Sequence, residues 1–458
     1  MSVLAIDAGT TGVTALVVGE DARVVARGYQ EFPQHFPRPG WVEHEPEEIW
    51  QATLAACRAA LDAAPEPPIC VGLTNQRETA VLWDRSSLAA PRRAIVWQDR
   101  RSAEVCDQLR EAGHEDRVRE LTGLRFDPYF TGTKLTWLAE HDERSWAGVR
   151  EGAVALGTVD SYLVARLTDG AAHVTDASNA SRTLLFDLAA GTWSDELCSL
   201  LGVPRAALPD VVPSYGEVGR TAPAAFLGLD LPVSGIAGDQ QAALFGQACF
   251  SVGDSKCTYG TGSFVLVNTG SDVVRSDAGL LSTVAWMAPD GALTYALEGA
   301  IFVTGAAVQW LRDGLGIIGS AAEVEALAST VPDSGGVVFV PALTGLGAPD
   351  WDPSARGAIL GITRGTTRAH LARATLEAIA FEVRDVVETF PETLRLRGLR
   401  VDGGAAANAL LLQLQADTLG LPVERPDLLE TTGLGAAFLA GLGSGVWSST
   451  DELRDTWR

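Results

Sequence analysis

The sequence predicts an α/β protein built from two related domains with a cleft between them. Short apolar runs that end in Gly or Asp alternate with amphipathic segments long enough to be helices, which is the pattern of α/β domains. A strand, a turn rich in Gly and Thr, and a second strand occur at the start of the chain and again after residue 246. The 458 residues suffice for two or three domains. We therefore expect an N-terminal domain at 1–246 and a C-terminal domain at 247–458.

The composition is that of an ordinary globular protein with a strong negative charge. Apolar residues make up 47% of the chain and charged residues 20%, and the formal net charge is -23. This charge makes nucleic acids and anionic membranes unfavourable partners, and no apolar stretch reaches the roughly 18–20 residues that span a bilayer. Six scattered cysteines without a C-x-x-C pair, and an N-terminus without the features of a signal peptide, predict a cytoplasmic protein with reduced thiols. Lys134 and Lys256 are the only lysines, which we attribute to a compositional preference for arginine.

The first turn has the residues of a phosphate-binding loop. Apolar residues at 3–6 predict a strand that ends in Asp7, and strand-like runs follow at 13–18 and 24–29. In the turn at 8–12, glycines let the backbone approach a ligand, and N–H groups and Thr hydroxyls can hold phosphate oxygens. Asp7 could hold Mg²⁺ through water, because Mg²⁺ retains much of its hydration shell. An ordinary hairpin turn is the alternative interpretation.

Polar residues follow the next buried strand. The pattern at 46–64 predicts a helix, and the apolar run at 69–74 predicts a strand. Arg77 and Glu78 come soon after that strand, and together they offer a fork of donors and two acceptor oxygens that match vicinal hydroxyls. A surface ion pair is the alternative. Trp97, at the end of another strand, would either cover the CH face of a polyol or pack in the core.

Asp239 is the candidate catalytic residue. Apolar residues at 231–237 predict a buried strand that ends in Gly238 and Asp239, and a helix can begin at Gln241. Open α/β sheets place their reactive groups at this end of a strand, so we predict a general base that takes a proton from a substrate hydroxyl. A helix cap is the alternative. Tyr129, in a polar turn before a helix, could reach a ligand with its hydroxyl or pack in the interior.

The C-terminal half repeats the logic of the first turn. A strand at 255–259, a turn at 260–263 and a strand at 264–268 match the N-terminal pattern. A strand at 399–401 ends in Asp-Gly-Gly at 402–404, which leaves room for a flat or phosphate-bearing ligand at a helix start. Two Gly/Thr turns that face each other would grip a nucleoside triphosphate, and the halves must open and close around it. Further elements are predicted as helices at 305–315, 367–389, 405–419 and 432–442 and as strands at 284–287, 293–297 and 337–341.

Longer stretches around these residues match one known family. They run nearly from end to end, at 40–46, 75–79, 95–98, 127–134, 175–183, 235–247, 259–262, 295–299, 345–349, 351–353, 356–358 and 400–408. In these stretches the sequence resembles the FGGY carbohydrate kinases, and within that family the branch that acts on glycerol. The resemblance implies two duplicated actin/hexokinase-like ATPase domains, with ribonuclease H-like cores and an interdomain cleft.

The resemblance also implies an activity and a set of site residues. The activity is phosphorylation of glycerol to sn-glycerol 3-phosphate with Mg²⁺ and with ATP as co-substrate; another small polyol or ketose, such as dihydroxyacetone or xylulose, is the alternative acceptor. We expect a homo-oligomer, a dimer or a tetramer, whose small-molecule partners are glycerol and ATP. The implied residues are Asp239 as catalytic base, with Arg77, Glu78, Tyr129, Asp239 and Gln240 on the acceptor hydroxyls, Trp97 and Phe264 on its carbon face, Thr10, Thr11, Gly12, Thr261, Gly305, Gln309, Gly404 and Asn408 on the nucleotide, and Asp7 near the metal through water.

Two departures from the family pattern lead to further expectations. Thr14 stands where the family usually has Arg, so we expect weaker binding of the nucleotide or a changed salt dependence of that binding. The segment 226–232 is short where some bacterial members carry a regulatory loop, so we expect no regulation by a phosphosugar there. An ATPase of the chaperone or cytoskeletal class, without a small acceptor, is the second class of function. The pair Arg77 and Glu78 and the aromatic Trp97 argue against it.

Overall fold

The structure, a computed structural model, describes residues 1–457, and most of its strands belong to two six-stranded sheets. In chain order the strands are β1 (Ser2–Ala8), β2 (Gly12–Gly19), β3 (Val24–Glu31), β4 (Glu43–His44), β5 (Cys70–Asn75), β6 (Val81–Asp84), β7 (Ala94–Ile95), β8 (Val154–Gly157), β9 (Val174–Asp176), β10 (Phe186–Asp187), β11 (Thr192–Trp193), β12 (Asp210–Val212), β13 (Tyr215–Arg220), β14 (Pro232–Gly238), β15 (Ser255–Tyr259), β16 (Ser263–Gly270), β17 (Leu281–Met287), β18 (Leu293–Ile301), β19 (Val338–Val340), β20 (Ala358–Leu360), β21 (Leu399–Asp402) and β22 (Val423–Glu424).

The helices lie between these strands. In chain order they are α1 (Pro46–Ala63), α2 (Ala103–Glu111), α3 (Glu115–Thr122), α4 (Thr131–His141), α5 (Glu143–Arg150), α6 (Val159–Leu167), α7 (Ala177–Ala180), α8 (Asp195–Leu200), α9 (Asp239–Gly246), α10 (Gly305–Asp313), α11 (Glu323–Ala328), α12 (Arg368–Glu388), α13 (Ala409–Leu419), α14 (Thr431–Gly443) and α15 (Thr450–Thr456). Short 3-10 helices lie at Arg205–Ala207, Glu392–Leu394 and Gly404–Ala407. No helix within residues 1–457 is long and apolar enough to cross a membrane.

The two large sheets share one internal arrangement. The first has the order β13-β14-β5-β1-β2-β3; β1, β2 and β3 are antiparallel neighbours, and β5 and β14 run parallel to β1. The second has the order β17-β18-β16-β15-β21-β22; β15, β16 and β18 are antiparallel neighbours, and β21 and β22 run parallel to β15. Each lobe therefore combines an antiparallel meander with parallel strands, and each meander opens with a Gly/Thr turn. This duplicated α/β arrangement confirms the predicted fold class.

Helices approach both faces of the first sheet closely. Residues 3–6 of β1 are completely buried because α1 covers one face and α14 the other. A Cβ atom on Gly28 would lie 2.0 Å from the carbonyl oxygen of Ala56 in α1, and one on Gly72 would lie 2.1 Å from that of Ala436 in α14. Glycine at these positions is therefore what lets the helices pack so tightly. Since α14 comes from the end of the chain, C-terminal residues stabilise the N-terminal lobe.

Two of the predicted elements that differ from the structure lie in the C-terminal half. The strand predicted at 337–341 lies outside both large sheets, because β19 pairs with β20 in a separate hairpin. The helix predicted at 405–419 begins only at Ala409, after the 3-10 turn Gly404–Ala407. Its start is fixed by Asn408, whose side-chain oxygen accepts a hydrogen bond of 2.9 Å from the N–H of Leu411.

Candidate active site

A cavity of about 600 Å³ lies where the two lobes meet. The first lobe contributes Trp97 and Tyr129 to its wall, and the second contributes Thr261 and Phe264. The cavity thus joins residues that the sequence assigned separately to an acceptor and to a nucleotide. Asp239 does not line this cavity, but it contacts Arg77, which in turn contacts Tyr129 of the cavity wall.

Asp239 stands at the junction between β14 and α9. It is the first residue of α9, so its carboxylate lies at the positive end of the helix. Its Oδ1 accepts a hydrogen bond of 2.7 Å from the N–H of Gln240 and lies 3.2 Å from Nε of Arg77. The side chain of Asp239 is 28% exposed, whereas that of Arg77 is 1% exposed. Burial raises the pKa of Asp239, and the charges of Arg77 and Lys256 oppose that rise. The result is a partly exposed carboxylate that is suited to accept a proton.

Arg77 is held from several sides by the protein itself. Its Nη1 donates to Glu298 at 2.6 Å and to Gln241 at 3.2 Å, and its Nη2 donates to Glu298 at 3.1 Å and to the hydroxyl of Tyr129 at 3.2 Å. All four N–H groups of the terminal nitrogens are therefore used. A ligand hydroxyl would share or displace one of these contacts, and the guanidinium also places a positive charge beside Asp239.

Glu78 and Arg182 extend this buried network. Arg182, which is completely buried, donates to Glu78 at 2.7 Å and to Glu298 at 2.8 Å. Burial alone would raise the pKa of Glu298, but the charges of Arg182 and Arg77 outweigh it and lower that pKa to about 2. Glu78 has a backbone φ of +63°, which is unusual for a residue with a side chain. Its Oε2 has no hydrogen-bond partner among the described residues, which leaves one oxygen free for a hydroxyl.

Trp97 connects the predicted acceptor wall to the first Gly/Thr turn. Its indole N–H donates to the hydroxyl of Thr10 at 3.0 Å, and its backbone N–H donates to the hydroxyl of Thr79 at 3.2 Å. The ring stands edge-on to Tyr129 and Phe264, with centroids 5.7 Å and 6.4 Å away. Three aromatic rings therefore form one apolar wall, and one of them orients a hydroxyl of the turn.

The first Gly/Thr turn is a tight bend between β1 and β2. The N–H of Gly9 donates to the carbonyl of Gly12 at 3.0 Å. Thr11 is exposed and Thr10 is half-buried. A Cβ on Gly12 would lie 2.8 Å from the carbonyl oxygen of Gln30, so the neighbouring strand excludes a side chain there.

The second Gly/Thr turn is locked to the start of α10. The N–H of Gly305 donates to the carbonyl of Gly260 at 3.0 Å, and the N–H of Thr304 donates to that of Thr261 at 2.9 Å. A Cβ on Gly305 would lie 2.6 Å from the oxygen of Gly260. The structure thus brings the predicted nucleotide residues Thr261 and Gly305 together, and Gln309 is exposed one turn further along the same helix.

The third predicted nucleotide segment lies beside the second turn. Gly403 has a φ of +84°, and a Cβ there would lie 2.5 Å from the carbonyl oxygen of Tyr259 at the end of β15. A Cβ on Gly404 would meet nothing within 4 Å, so open space adjoins this backbone. Asn408 caps α13 with its oxygen, and its side-chain nitrogen has no partner among residues 1–457.

Asp7 fits the predicted role next to a magnesium ion. Burial and then the charge of Asp239 raise the pKa of Asp7 to about 7. Its carboxylate accepts no side-chain hydrogen bond from the described residues, so both oxygens are available to the water molecules that a bound Mg²⁺ retains. Residues 1–457 contain no cluster of three or more His, Cys, Asp or Glu that could enclose an ion.

Sequence reasoning missed the partners that hold the site residues. Glu298 interrupts the apolar run of β18, and a carboxylate in such a run indicates a buried charge that must be paired. The two lysines are a second such indication, because both are completely buried. Lys134 donates to the carbonyls of Pro128 and Tyr129 at 2.7 and 2.6 Å and so fixes the turn that carries Tyr129. The scarcity of lysine was therefore informative, and compositional preference alone was an incomplete explanation.

Comparison with known proteins identifies a family. The pattern of the FGGY family of carbohydrate kinases matches with its N-terminal domain at residues 2–246 and with its C-terminal domain at residues 255–444. The glycerol kinase of Myxococcus xanthus is 55% identical over 100% of this chain and 93% of its own length. The crystal structure of Plasmodium falciparum glycerol kinase with ADP superimposes with a TM-score of 0.91 at 33% identity, covering 99% of this chain and 92% of that one. The xylulose kinase of Rhodospirillum rubrum superimposes with a TM-score of 0.86 at 27% identity, covering 100% and 93%.

Proposed function

The chain belongs to the FGGY family of carbohydrate kinases, and we propose that it transfers the γ-phosphoryl group of ATP to a terminal hydroxyl of glycerol. The products are sn-glycerol 3-phosphate and ADP. The observation that carries the proposal is the setting of Asp239, a partly exposed carboxylate next to a cavity walled by three aromatic rings and a Gly/Thr turn. An alkyl chain needs an apolar wall and a hydroxyl needs a base, and this site supplies both.

In the proposed reaction the proton of the terminal hydroxyl passes to Asp239. The hydroxyl oxygen forms the new bond to the γ-phosphorus, and the bond to the bridging oxygen breaks with its electron pair going to ADP. The raised pKa of Asp239 makes it a stronger proton acceptor than an ordinary carboxylate. The backbone N–H groups and hydroxyls of the turns at Thr10 and Thr261 stabilise negative charge on the transferred group. Mg²⁺, when bound near Asp7, neutralises part of the phosphate charge.

Within this function we assign the remaining residues as follows. Arg77, Glu78, Tyr129, Asp239 and Gln240 bind the acceptor hydroxyls, and Arg77 also holds the carboxylate of Asp239. Trp97 and Phe264 pack on the carbon face. The nucleotide lies along Thr10, Thr11, Gly12, Thr261, Gly305, Gln309, Gly404 and Asn408, and the two domains divide at 246/247. We further propose a cytoplasmic homo-oligomer, a dimer or a tetramer.

Glycerol is favoured over a longer ketose by the relatives. A glycerol kinase is 55% identical to this chain, whereas a xylulose kinase is 27% identical. A site that pairs each hydroxyl with its own partner rejects analogues that lack one by large factors. A coupled assay for ADP across glycerol, dihydroxyacetone, erythritol, xylulose and gluconate tests this choice. A higher kcat/KM on any of the others than on glycerol would replace the acceptor in the proposal.

The base is tested by Asp239→Asn. General base catalysis typically contributes about 10²–10⁴-fold, so we expect kcat to fall by roughly that factor while the fold is kept. Asp195→Asn is the matched control, because Asp195 is also the first residue of a helix but is exposed on the surface. Near-normal turnover of the Asp239 variant would remove this residue from the mechanism.

A further inference from the structure

Lys256 lies against the proposed acceptor site, yet it has no place in the reaction described above. It is completely buried on β15. Its ammonium donates to Oε1 of Gln240, to the hydroxyl of Thr258 at 2.8 Å and to the carbonyl of Phe264 at 3.4 Å. An ammonium has three N–H donors and no acceptor, so all three of its donors are used. Burial lowers the pKa of Lys256, and the charge of Asp402 opposes this.

These contacts decide which way the amide of Gln240 faces. Since an ammonium can only donate, the atom of Gln240 that meets Lys256 must be the oxygen. The amide nitrogen is then directed elsewhere, and it has no partner among the described residues. Gln240 directly follows the catalytic Asp239 in α9 and is 6% exposed. A free, oriented donor therefore stands next to the proposed base.

We propose that Lys256 is a positioning residue that orients the Gln240 amide so that its nitrogen donates to a non-reacting oxygen of the acceptor. The inference rests on the proposed kinase function and extends it to a residue that acts through another. Lys256 also connects the lobes, because Gln240 belongs to α9 whereas Thr258 and Phe264 belong to the strands of the second sheet. The ammonium of Lys256 thereby fixes the amide of Gln240 relative to the backbone carbonyl of Phe264, the residue whose ring is proposed to pack on the acceptor.

Two variants of this pair test the proposal. Lys256→Met keeps most of the volume and removes the ammonium, so the amide of Gln240 is free to turn. We expect the KM for glycerol to rise on the order of tenfold, as for the loss of one hydrogen bond, while the KM for ATP stays within about twofold. Gln240→Ala should raise the KM for glycerol by a similar factor. The double variant should be no worse than Gln240→Ala alone, because both changes act on the same hydrogen bond to the acceptor.

A purely structural role for Lys256 predicts a different result. In that case the effects of the two substitutions would multiply, and the KM values for glycerol and ATP would change together. Thr53→Val is the control for a lost buried hydrogen bond, because Thr53 is buried in α1 and donates only to its own helix at 2.8 Å. The control should lower thermal stability without changing either KM.

Another variant of Gln240 tests the proposal even if Lys256→Met does not fold. Gln240→Glu retains the contact with Lys256 but has no N–H to donate, so glycerol binding measured by calorimetry without ATP should weaken on the order of tenfold. Unchanged binding would overturn the proposal. Measurements on the wild type distinguish the kinase function from the role of Lys256. Failure of the wild type to phosphorylate glycerol refutes the proposed function. An active wild type with multiplicative effects refutes only the role of Lys256.

Discussion

Glu298→Gln removes one negative charge from the buried network without changing the shape of the side chain. Glu298 is 0% exposed and accepts hydrogen bonds from Arg77 at 2.6 and 3.1 Å and from Arg182 at 2.8 Å. Its pKa is about 2, against an ordinary value of 4.5. At 1.36 kcal/mol for each pKa unit, the ionised form contributes about 3 kcal/mol to folding. That figure agrees with the roughly 3–5 kcal/mol lost when one partner of a buried ion pair is removed.

The assay is urea unfolding followed by tryptophan fluorescence, since urea does not screen charges. At pH 7 we expect the free energy of unfolding of Glu298→Gln to fall by about 3 kcal/mol. A depressed carboxyl pKa stabilises the fold above its unfolded value, and the contribution is lost as the pH falls toward the folded value. The difference between wild type and variant should therefore stay constant from pH 7 to 5 and shrink below about pH 4.5.

The control for this measurement is Glu388→Gln. Glu388 pairs with Arg384 on the surface of α12, where both side chains are about half exposed. An exposed pair contributes about 1 kcal/mol or less. Equal unfolding midpoints for wild type and Glu298→Gln at pH 7 would refute the assignment of Glu298 as the anchor of both arginines. A difference that persists undiminished to pH 3 would refute the pKa on which the magnitude rests.

Two further changes test one hydrogen bond and one raised carboxyl pKa. Trp97→Phe keeps the apolar wall but removes the N–H that holds the hydroxyl of Thr10. The KM for ATP should therefore rise several-fold, within the roughly tenfold effect of one hydrogen bond, while the KM for glycerol changes little. An unchanged KM for ATP would contradict a role for this contact in nucleotide binding. Glu382→Gln should stabilise the protein at high pH, because burial, and then Asp385 and Asp350, raise the pKa of Glu382 to about 7. A raised carboxyl pKa means that stability is complete below about pH 4.5 and is lost as the pH rises through 7. The thermal midpoint of this variant should exceed that of the wild type at pH 8 and equal it at pH 4.5, and equal midpoints at pH 8 would contradict the prediction.

What the sequence could predict was decided by how local each feature is. The two Gly/Thr turns and the strand before Asp239 are short patterns, and they predicted the duplicated fold and the place of Asp239 between a strand and a helix. The partners of Arg77 are not local, because Glu298 lies 221 residues away along the chain. The packing of α14 on the first sheet is also a contact between distant parts of the chain. Nothing in the sequence at 431–443 indicates which sheet the small residues of this helix approach.

The nucleotide segments show an intermediate case. The turn at Thr261 and the helix start at Gly305 were predicted separately, but their hydrogen bonds to each other depend on the close approach that Gly305 allows. The helix predicted at 405–419 was too long by four residues, because capping by Asn408 is a local signal that the apolar pattern obscured. Hydrophobic periodicity predicts that a helix or strand is present, whereas the residues at which it begins and ends depend on single hydrogen bonds.

The balance of charges around Asp239 suits this residue to the proposed role of general base. The charged groups at this site include three cations and three carboxylates, namely Arg77, Arg182, Lys256, Glu78, Asp239 and Glu298. With all six ionised, their charges cancel, and when Asp239 accepts a proton the cluster gains one positive charge as the transferred phosphoryl group adds negative charge nearby.

Two variants that unbalance this cluster should shift the acidic limb of the pH profile of kcat/KM in opposite directions. Glu298→Gln removes a negative neighbour of Asp239 and should move the limb to lower pH, whereas Lys256→Met removes a positive neighbour and should move it to higher pH. Structural damage alone would lower kcat/KM in both variants without moving their acidic limbs to different pH values. Shifts of the same sign would show that the charge of the cluster does not control the base.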